Sequence, residues 1–267
     1  MGAKPLRMIE WLEGSPMFDG LKKRLAERHG TVPETSLGLG RPAAAPTNGF
    51  SRLRDSLFAD AKLNELLEAL SAEAKLKPPF SIFAQAAEAV GAGDRDKAVA
   101  ILKILTVGQE PRLELLAWTA LGELGAVPSP ERAKEVLGVI VEVAMDGGED
   151  LVVAFADRRA RYYNYSGAGV IWETDDSRLN PQIDALLEAG RKVVAVIGPW
   201  KEKRPDMPRA NRVRLNMLTP SGLHFGEGDM NALSRDPMGG PVIKLAFELM
   251  KALIAVDAEF RRKQTGT

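Results

Sequence analysis

The chain has 267 residues, of which 45% are hydrophobic and 27% are charged, and this composition is typical of a folded soluble protein. Its 36 basic and 36 acidic side chains cancel, so any attraction to nucleic acid or an anionic membrane would have to be local. The absence of cysteine excludes thiolate metal sites, iron–sulfur clusters, disulfides and a cysteine nucleophile.

Residues 1–29 are predicted to form an N-terminal helical arm. Two stretches, "LRMIEWLEG" and "FDGLKKRLAERHG", place apolar residues at helical spacing, and Gly14 and Gly30 stand where helices end. Residues 30–50 are rich in Pro, Gly and Ala without any period, which predicts a linker or a long ordered loop. A tethered arm of this kind suits docking to a partner; the alternative is that it packs on its own domain.

Residues 51–137 are predicted to form a helical domain. The run "AQAAEAVGAGDRDKAVAILKIL" indicates one helical hairpin of the tetratricopeptide type, with Asp94 as a helix cap. Since a solenoid needs at least three stacked repeats, we expect a small helical bundle instead. The predicted helices cover 51–74, 80–91, 94–106, 111–124 and 129–137.

Residues 138–267 are predicted to form an α+β domain. Apolar residues here recur with period two, which is typical of strands. Asn180 and Pro181 mark a helix start, Gly190 marks its end, and a closing helix runs from Pro241 to about Arg262. The predicted strands cover 139–146, 150–157, 160–166, 169–174, 192–199, 212–219 and 222–227. The predicted fold class is therefore α+β: an N-terminal helical bundle of helical-hairpin type, then a mostly antiparallel β-sheet covered by two helices.

The stretch "LTPSGLHFGEG" raises the question of a catalytic histidine. Thr219–Gly222 fits a type I turn, which gives Ser221 a structural role. In a strand that begins there, His224 would point away from both Ser221 and Glu227, because side chains three residues apart lie on opposite faces. A local catalytic pair is therefore disfavoured, and we expect His224 to face the outer surface or a partner.

No metal or cofactor is predicted. The two histidines, His29 and His224, are far apart in sequence, and no thiolate is available. The acidic runs at 146–150 and 172–177 lack the spacing of an EF-hand loop. The glycines of "FGEGD" and "SGAGVIW" lack the strand-before, helix-after context of a phosphate loop.

Two segments predict a binding surface. In "PWKEKRPDMPRANRVR" (199–214), basic residues surround Trp200, and Arg212, Arg214 and Asn216 would share one strand face. "RRARYYNY" (158–165) combines Arg and Tyr, residues favoured at interfaces. If the two strands are neighbours, they form one basic, aromatic surface; the alternative is a solvated face. The candidate residues are Arg161, Tyr163, Tyr165, Trp200, Lys203, Arg204, Arg209, Arg212, Arg214 and His224.

These features favour a non-enzymatic, cytoplasmic adaptor or assembly protein with a protein partner. An exposed edge strand would also allow a homodimer, whereas zero net charge argues against nucleic acid and no stretch is long enough to span a membrane. The alternative is a sensor or enzyme for a small anionic ligand near 199–214. A pocket gathering Arg212, Arg214, His224 and a tyrosine would favour the ligand, and a flat or self-paired face would favour the partner.

Overall fold

A computed structural model describes residues 49–145, 148–165, 168–209 and 211–265. The predicted arm at 1–29 and nearly all of the predicted linker at 30–50 lie outside these residues. The described chain is mixed helix and sheet, with ten α-helices and six antiparallel strands. The helices are α1 Gly49–Phe58, α2 Leu63–Ala69, α3 Ala72–Lys75, α4 Phe80–Gly91, α5 Arg95–Lys103, α6 Pro111–Glu123, α7 Pro130–Ala133, α8 Asn180–Val196, α9 Met230–Ser234 and α10 Gly239–Thr265.

The six strands form one antiparallel sheet in the order β4-β3-β2-β1-β5-β6. The four strands predicted between 139 and 174 are confirmed as an antiparallel meander, and the two predicted at 212–219 and 222–227 are confirmed as a final hairpin. Hydrogen bonding joins each strand of the meander to the next, and β5 pairs with β6 around the turn between Thr219 and Gly222. The strands are β1 Gly138–Met145, β2 Gly148–Phe155, β3 Ala160–Tyr163, β4 Gly169–Trp172, β5 Arg212–Thr219 and β6 Gly222–Asp229.

One face of the sheet packs against α1 and α6. Leu57 of α1 and Leu115 of α6 share a core cluster with Ile140 and Val153, which the β1–β2 register places side by side. This cluster takes residues from both sides of the predicted domain boundary at 137/138. A second cluster lies within the helical region and includes Phe83 and other apolar residues of α2, α4, α5 and α6.

The other face of the sheet packs against α8 and α10. The predicted helix stop at Gly190 and the predicted strand at 192–199 are wrong, because α8 continues to Val196. Gly190 lies where a Cβ atom would come within 2.7 Å of Val139 Cγ2, so the glycine allows close helix–sheet packing. A short apolar run cannot distinguish a buried strand from a buried helix, which explains the error.

The helical region also differs from its prediction in length. The single helix expected over 51–74 is broken into α1, α2 and α3; Ala59, directly after α1, has a positive φ of 51°. The helix expected over 129–137 ends at Ala133, and the chain then leads into β1. The predicted cap at Asp94 is confirmed, because its side chain accepts a hydrogen bond from the backbone of Lys97. None of the described helices is long and apolar enough to cross a membrane.

Candidate functional site

A buried charge cluster joins α1 to the sheet; it consists of Arg54, Glu142, Glu149, Arg214 and Glu227. Arg54 Nε donates to Glu142 Oε1 at 2.5 Å, and Arg214 Nη1 donates to Glu142 Oε2 at 3.3 Å. The register places Arg214 between Glu142 and Glu227, and its Nη2 donates to Glu227 Oε2 at 2.7 Å. Glu142 is fully buried, so these two arginines supply the charge compensation that a buried carboxylate requires.

Glu149 is the member of the charge cluster whose carboxyl group makes no hydrogen bond to a described residue. It is 1% exposed, and neither of its carboxyl oxygens has a hydrogen-bond partner among the described residues. Arg54 Nε lies 3.4 Å from Glu149 Oε1 but is already hydrogen-bonded to Glu142. Burial, and then the charge of Glu142, raise the pKa of Glu149 to about 8. The raised pKa favours the protonated form of Glu149, in which Arg54 and Arg214 balance the carboxylates of Glu142 and Glu227.

The basic loop, residues 197–209, is hydrogen-bonded to this cluster and to α1. Arg214 Nη1 donates to the carbonyl of Asp206 at 2.7 Å, and Arg54 Nη2 donates to that of Pro205 at 3.2 Å. Arg204 donates to both Asp55 and Asp60 at 2.6 Å, and its guanidinium lies 4.2 Å from the centre of the Phe58 ring. The loop is thus held against the C-terminal end of α1.

The structure corrects the exposure expected for several candidate residues. Arg212 and Arg214 do share a strand face with Asn216, but that face is turned toward the helical region and Arg214 is buried. Arg212 pairs with Glu227 as well. Arg214 is therefore held in buried ion pairs. Arg212, whose side chain is 41% exposed, is paired with Glu227, so the two arginines do not form a free basic face.

The predicted joint surface of 158–165 and 212–218 is also wrong. Arg161 and Tyr163 lie on β3, which β2 and β1 separate from β5. Both side chains are buried, and Arg161 pairs with Glu173. Tyr165, just beyond β3, is exposed. The alternation pattern could not reveal the strand order.

His224 is buried, and its predicted position on an outer surface is wrong. It is 1% exposed, and its Nδ1 lies 3.4 Å from both Thr219 Oγ1 and the carbonyl of Gly222. Burial lowers its pKa, so the imidazole is neutral at neutral pH. Ser221 Oγ donates to the carbonyl of Ala133 at 2.6 Å, which leaves no serine–histidine pair. Helices cover both faces of the sheet, so a side chain on either face of β6 can be buried.

The tryptophan cleft is an open cavity of about 650 Å³ beside the basic loop. Trp200 is 41% exposed, and its ring packs edge-on against Phe225 with 5.1 Å between centroids. Its backbone N donates to the carbonyl of Leu223 at 2.6 Å, which fixes this wall to β6. On the α6 side, Trp118 Nε1 donates to Glu114 at 3.2 Å. The lining comprises residues 58–60, 115, 118, 119, 122, 126–128, 133, 199–201 and 218–223.

A smaller cavity of about 460 Å³ lies at the N-terminal end of α6. Its charged residues mostly satisfy one another: Arg132 contacts both Glu114 and Glu135. Burial raises the pKa of Glu114 and of the neighbouring Asp157. This cavity brings together none of the candidate residues predicted from the sequence.

The candidate residues predicted from the sequence include Trp200, which lines the cleft, but not Arg54, Glu142, Glu149 or Trp118. A glutamate inside the apolar strand "VIVEVAM" was a usable signal, because a buried charge needs a partner. No local pattern pointed to Arg54, which lies 88 residues away from Glu142.

The described residues contain no group of three His, Asp or Glu side chains placed to hold a metal ion. Comparison with protein-family models, curated proteins and solved structures finds no match to this chain. The chemistry of the site must therefore be inferred from its own geometry: a self-compensated charge cluster that supports one wall of an open, largely apolar cleft.

Proposed function

We propose that this chain is a non-enzymatic protein–protein interaction module and that the tryptophan cleft is its docking site. The observation that carries the proposal is an open cleft of about 650 Å³ with mainly apolar walls, in which Trp200 is 41% exposed. Val127, at the same cleft, is 83% exposed. Exposed apolar residues grouped around a concave surface are a common feature of interaction sites, and tryptophan is enriched among residues that dominate binding energy.

The rigidity of the cleft supports this proposal. Trp200 is held by its backbone contact to Leu223 and by its indole, which donates to the carbonyl of Lys203 at 3.2 Å. Arg204 holds the same loop to Asp55 of α1 and to Asp60, which lies just beyond that helix. A cleft that is already ordered loses less conformational entropy when a partner binds.

The alternative function, a sensor or enzyme for a small anionic ligand near 199–214, lacks comparable support. Arg212 and Arg214 pair with Glu227, and His224 is buried on the opposite face of the hairpin. An anion at this place would have to displace an internal carboxylate. Arginines that pair with carboxylates of the same chain are what we expect of a partner-binding protein. We therefore place the ligand function second.

Affinity capture from the native cell tests the docking function. We expect the tagged full chain to retain a stoichiometric partner, and Trp200→Ala to reduce its recovery by about tenfold, since truncating a central aromatic anchor costs more than 1 kcal/mol. The matched control is Phe260→Ala, which removes a similarly exposed aromatic ring from α10 on the other side of the sheet. Circular dichroism would verify that both variants are folded.

Equal recovery of the same proteins by all three forms, or no partner with any of them, would contradict the docking function. A fourth form that starts at Thr47 tests the predicted N-terminal arm. It keeps α1 intact and with it the Arg54 contact to Glu142. Loss of a partner from this form alone would assign that partner to residues 1–46.

A further inference from the structure

We infer that this chain forms a symmetric dimer, in which the edge strand β4 pairs antiparallel with β4 of a second copy. The sheets of the two copies then merge into one continuous antiparallel sheet. The inference depends on the backbone and the side chains at this edge, and it does not require the docking function.

The outer side of β4 presents backbone hydrogen-bonding groups at an edge of the sheet. Asn164 donates from its backbone N to the carbonyl of Ala168 at 2.8 Å, which fixes the alternation of bonded and non-bonded pairs between β3 and β4. By this alternation, the N–H and C=O groups of Gly169 and Ile171 point away from β3. Neither backbone group of Ile171 makes a hydrogen bond to a described residue.

The β4 edge is more open to pairing than the opposite edge of the sheet. β4 contains no proline and no charged residue, and Ile171 is 58% exposed. At the opposite edge, the outward carbonyl of Leu223 in β6 already accepts a hydrogen bond from the backbone N of Trp200 at 2.6 Å. The basic loop therefore occupies part of the β6 edge, and β4 is the edge at which a second copy can add a strand.

The sequence around Ile171 suits a twofold axis at this residue. With the axis there, the two Ile171 residues form a hydrogen-bonded pair, and their side chains lie next to each other on one face. Gly169 lies opposite Glu173 of the second copy, so like charges do not face each other directly. A shift by two residues would place Ile171 opposite Gly169 or Glu173 and lose the contact between the isoleucines.

The acidic residues that follow β4 do not oppose this pairing. Glu173 forms an ion pair with Arg161 of the same chain, so its charge is compensated. Asp175 is exposed and lies four residues from the axis, on opposite sides in the two copies. The two Asp175 carboxylates are then on the order of 20 Å apart, well beyond the screening length of about 8 Å at physiological salt.

The dimer gives the molecule two tryptophan clefts at a distance from each other. The cleft lies beside β6, at the edge of the sheet opposite to β4, so the clefts of the two copies lie near the two ends of the joined sheet. A partner that carries two docking segments then binds both clefts with increased avidity. This consequence rests on the proposed docking function, whereas the dimer itself does not.

Sedimentation velocity of the full chain at a series of protein concentrations tests the dimer. We expect a reversible equilibrium between monomer and dimer with a micromolar dissociation constant, because a strand of four residues offers few hydrogen bonds. Ile171→Lys places two like charges next to each other across the axis and should weaken the dimer by about tenfold or more. The matched control is Val196→Lys, at a 68% exposed position at the end of α8, which should leave the equilibrium unchanged.

A cysteine at the axis gives an independent test, because the natural chain has none. Hydrogen-bonded pairs in antiparallel sheets have Cα atoms about 5.5 Å apart, within the range of a disulfide. Copper–phenanthroline oxidation should therefore convert Ile171→Cys to a covalent dimer and leave Val196→Cys monomeric.

Three results would overturn the inference: a parent chain that is monomeric at every concentration, a dimer that folded Ile171→Lys does not weaken, or an Ile171→Cys chain that does not crosslink. If circular dichroism shows that Ile171→Lys is unfolded, the parent equilibrium and the crosslink decide. The Trp200-dependent capture tests the docking function separately, so the two proposals can fail independently.

Discussion

At the scale of single residues, Glu149 makes the stability of this protein depend on pH. Its pKa is about 8 in the folded state against an ordinary value of 4.5, so the folded state holds a proton that the unfolded state releases between these values. The free energy of unfolding therefore falls as pH rises through this range, by linkage. Glu149→Gln keeps the shape of the protonated side chain and removes the titration.

We expect Glu149→Gln to be more stable than the parent protein at about pH 8, by more than about 1 kcal/mol, with the difference shrinking toward pH 4.5. Urea unfolding followed by circular dichroism at several pH values measures this. Asp150, whose burial raises its pKa to about 6, titrates in both proteins and cancels from the difference. A stability difference that does not change with pH would contradict the assignment.

Glu142→Gln is the matched comparison in the same cluster. Here the substitution removes a charge that Arg54 and Arg214 both require, and it leaves two buried guanidinium groups facing a neutral amide. Removing one partner of a buried ion pair costs about 3 kcal/mol or more. We expect Glu142→Gln to lower the free energy of unfolding and Glu149→Gln to raise it at the same high pH. This result would identify Glu142 as the ionised carboxylate and Glu149 as the protonated one.

At the scale of elements, α8 shows how a glycine can mark close packing instead of a helix end. Gly190→Ala gains up to about 1 kcal/mol of helix propensity, but its Cβ would stand 2.7 Å from Val139 Cγ2 and 3.2 Å from Met217 Cγ. Overpacking of this kind typically costs 1–3 kcal/mol. We therefore expect a net loss of about 1 kcal/mol in thermal or urea unfolding.

Gly122→Ala on α6 is the matched control, because a Cβ there would meet nothing within 4 Å. It should stabilise the protein by about 0.5–1 kcal/mol. Gly190→Ala should cost less stability when it is introduced into Val139→Ala than into the parent protein, because Val139→Ala removes the methyl group that clashes. Equal stabilisation by both glycine substitutions would show that α8 does not approach the sheet as closely as described.

The elements also show which parts of the fold the sequence could predict. The period-two recurrence of apolar residues located the strands of the meander and the final hairpin, because successive side chains of a strand point to opposite faces of the sheet. The same alternation could not tell an outer face from an inner one, since helices cover both faces, and it therefore misplaced His224 and Arg214. Trp200 was a candidate because of the basic residues around it in its loop. The cleft could not be predicted, because one of its walls is formed by α6, which lies far away in sequence.

At the scale of the whole molecule, the sheet joins the two predicted domains. Leu57 and Leu115 from the helical region share a core with Ile140 and Leu218 from the sheet, and Arg54 compensates Glu142 across the same boundary. The division into a helical domain at 51–137 and an α+β domain at 138–267 stays a prediction. Its test is whether the two regions unfold separately.

We expect a chain that starts at Thr47 to unfold in one transition, with far-ultraviolet and near-ultraviolet circular dichroism giving the same midpoint. A chain of residues 138–267 alone should show no cooperative transition, because the face that carries Ile140 and Val153 would lose its helical cover and Glu142 would lose Arg54. A buried carboxylate and an apolar sheet face cannot both be exposed without a large loss of stability. Cooperative unfolding of 138–267 at a similar midpoint would instead establish two domains that fold independently.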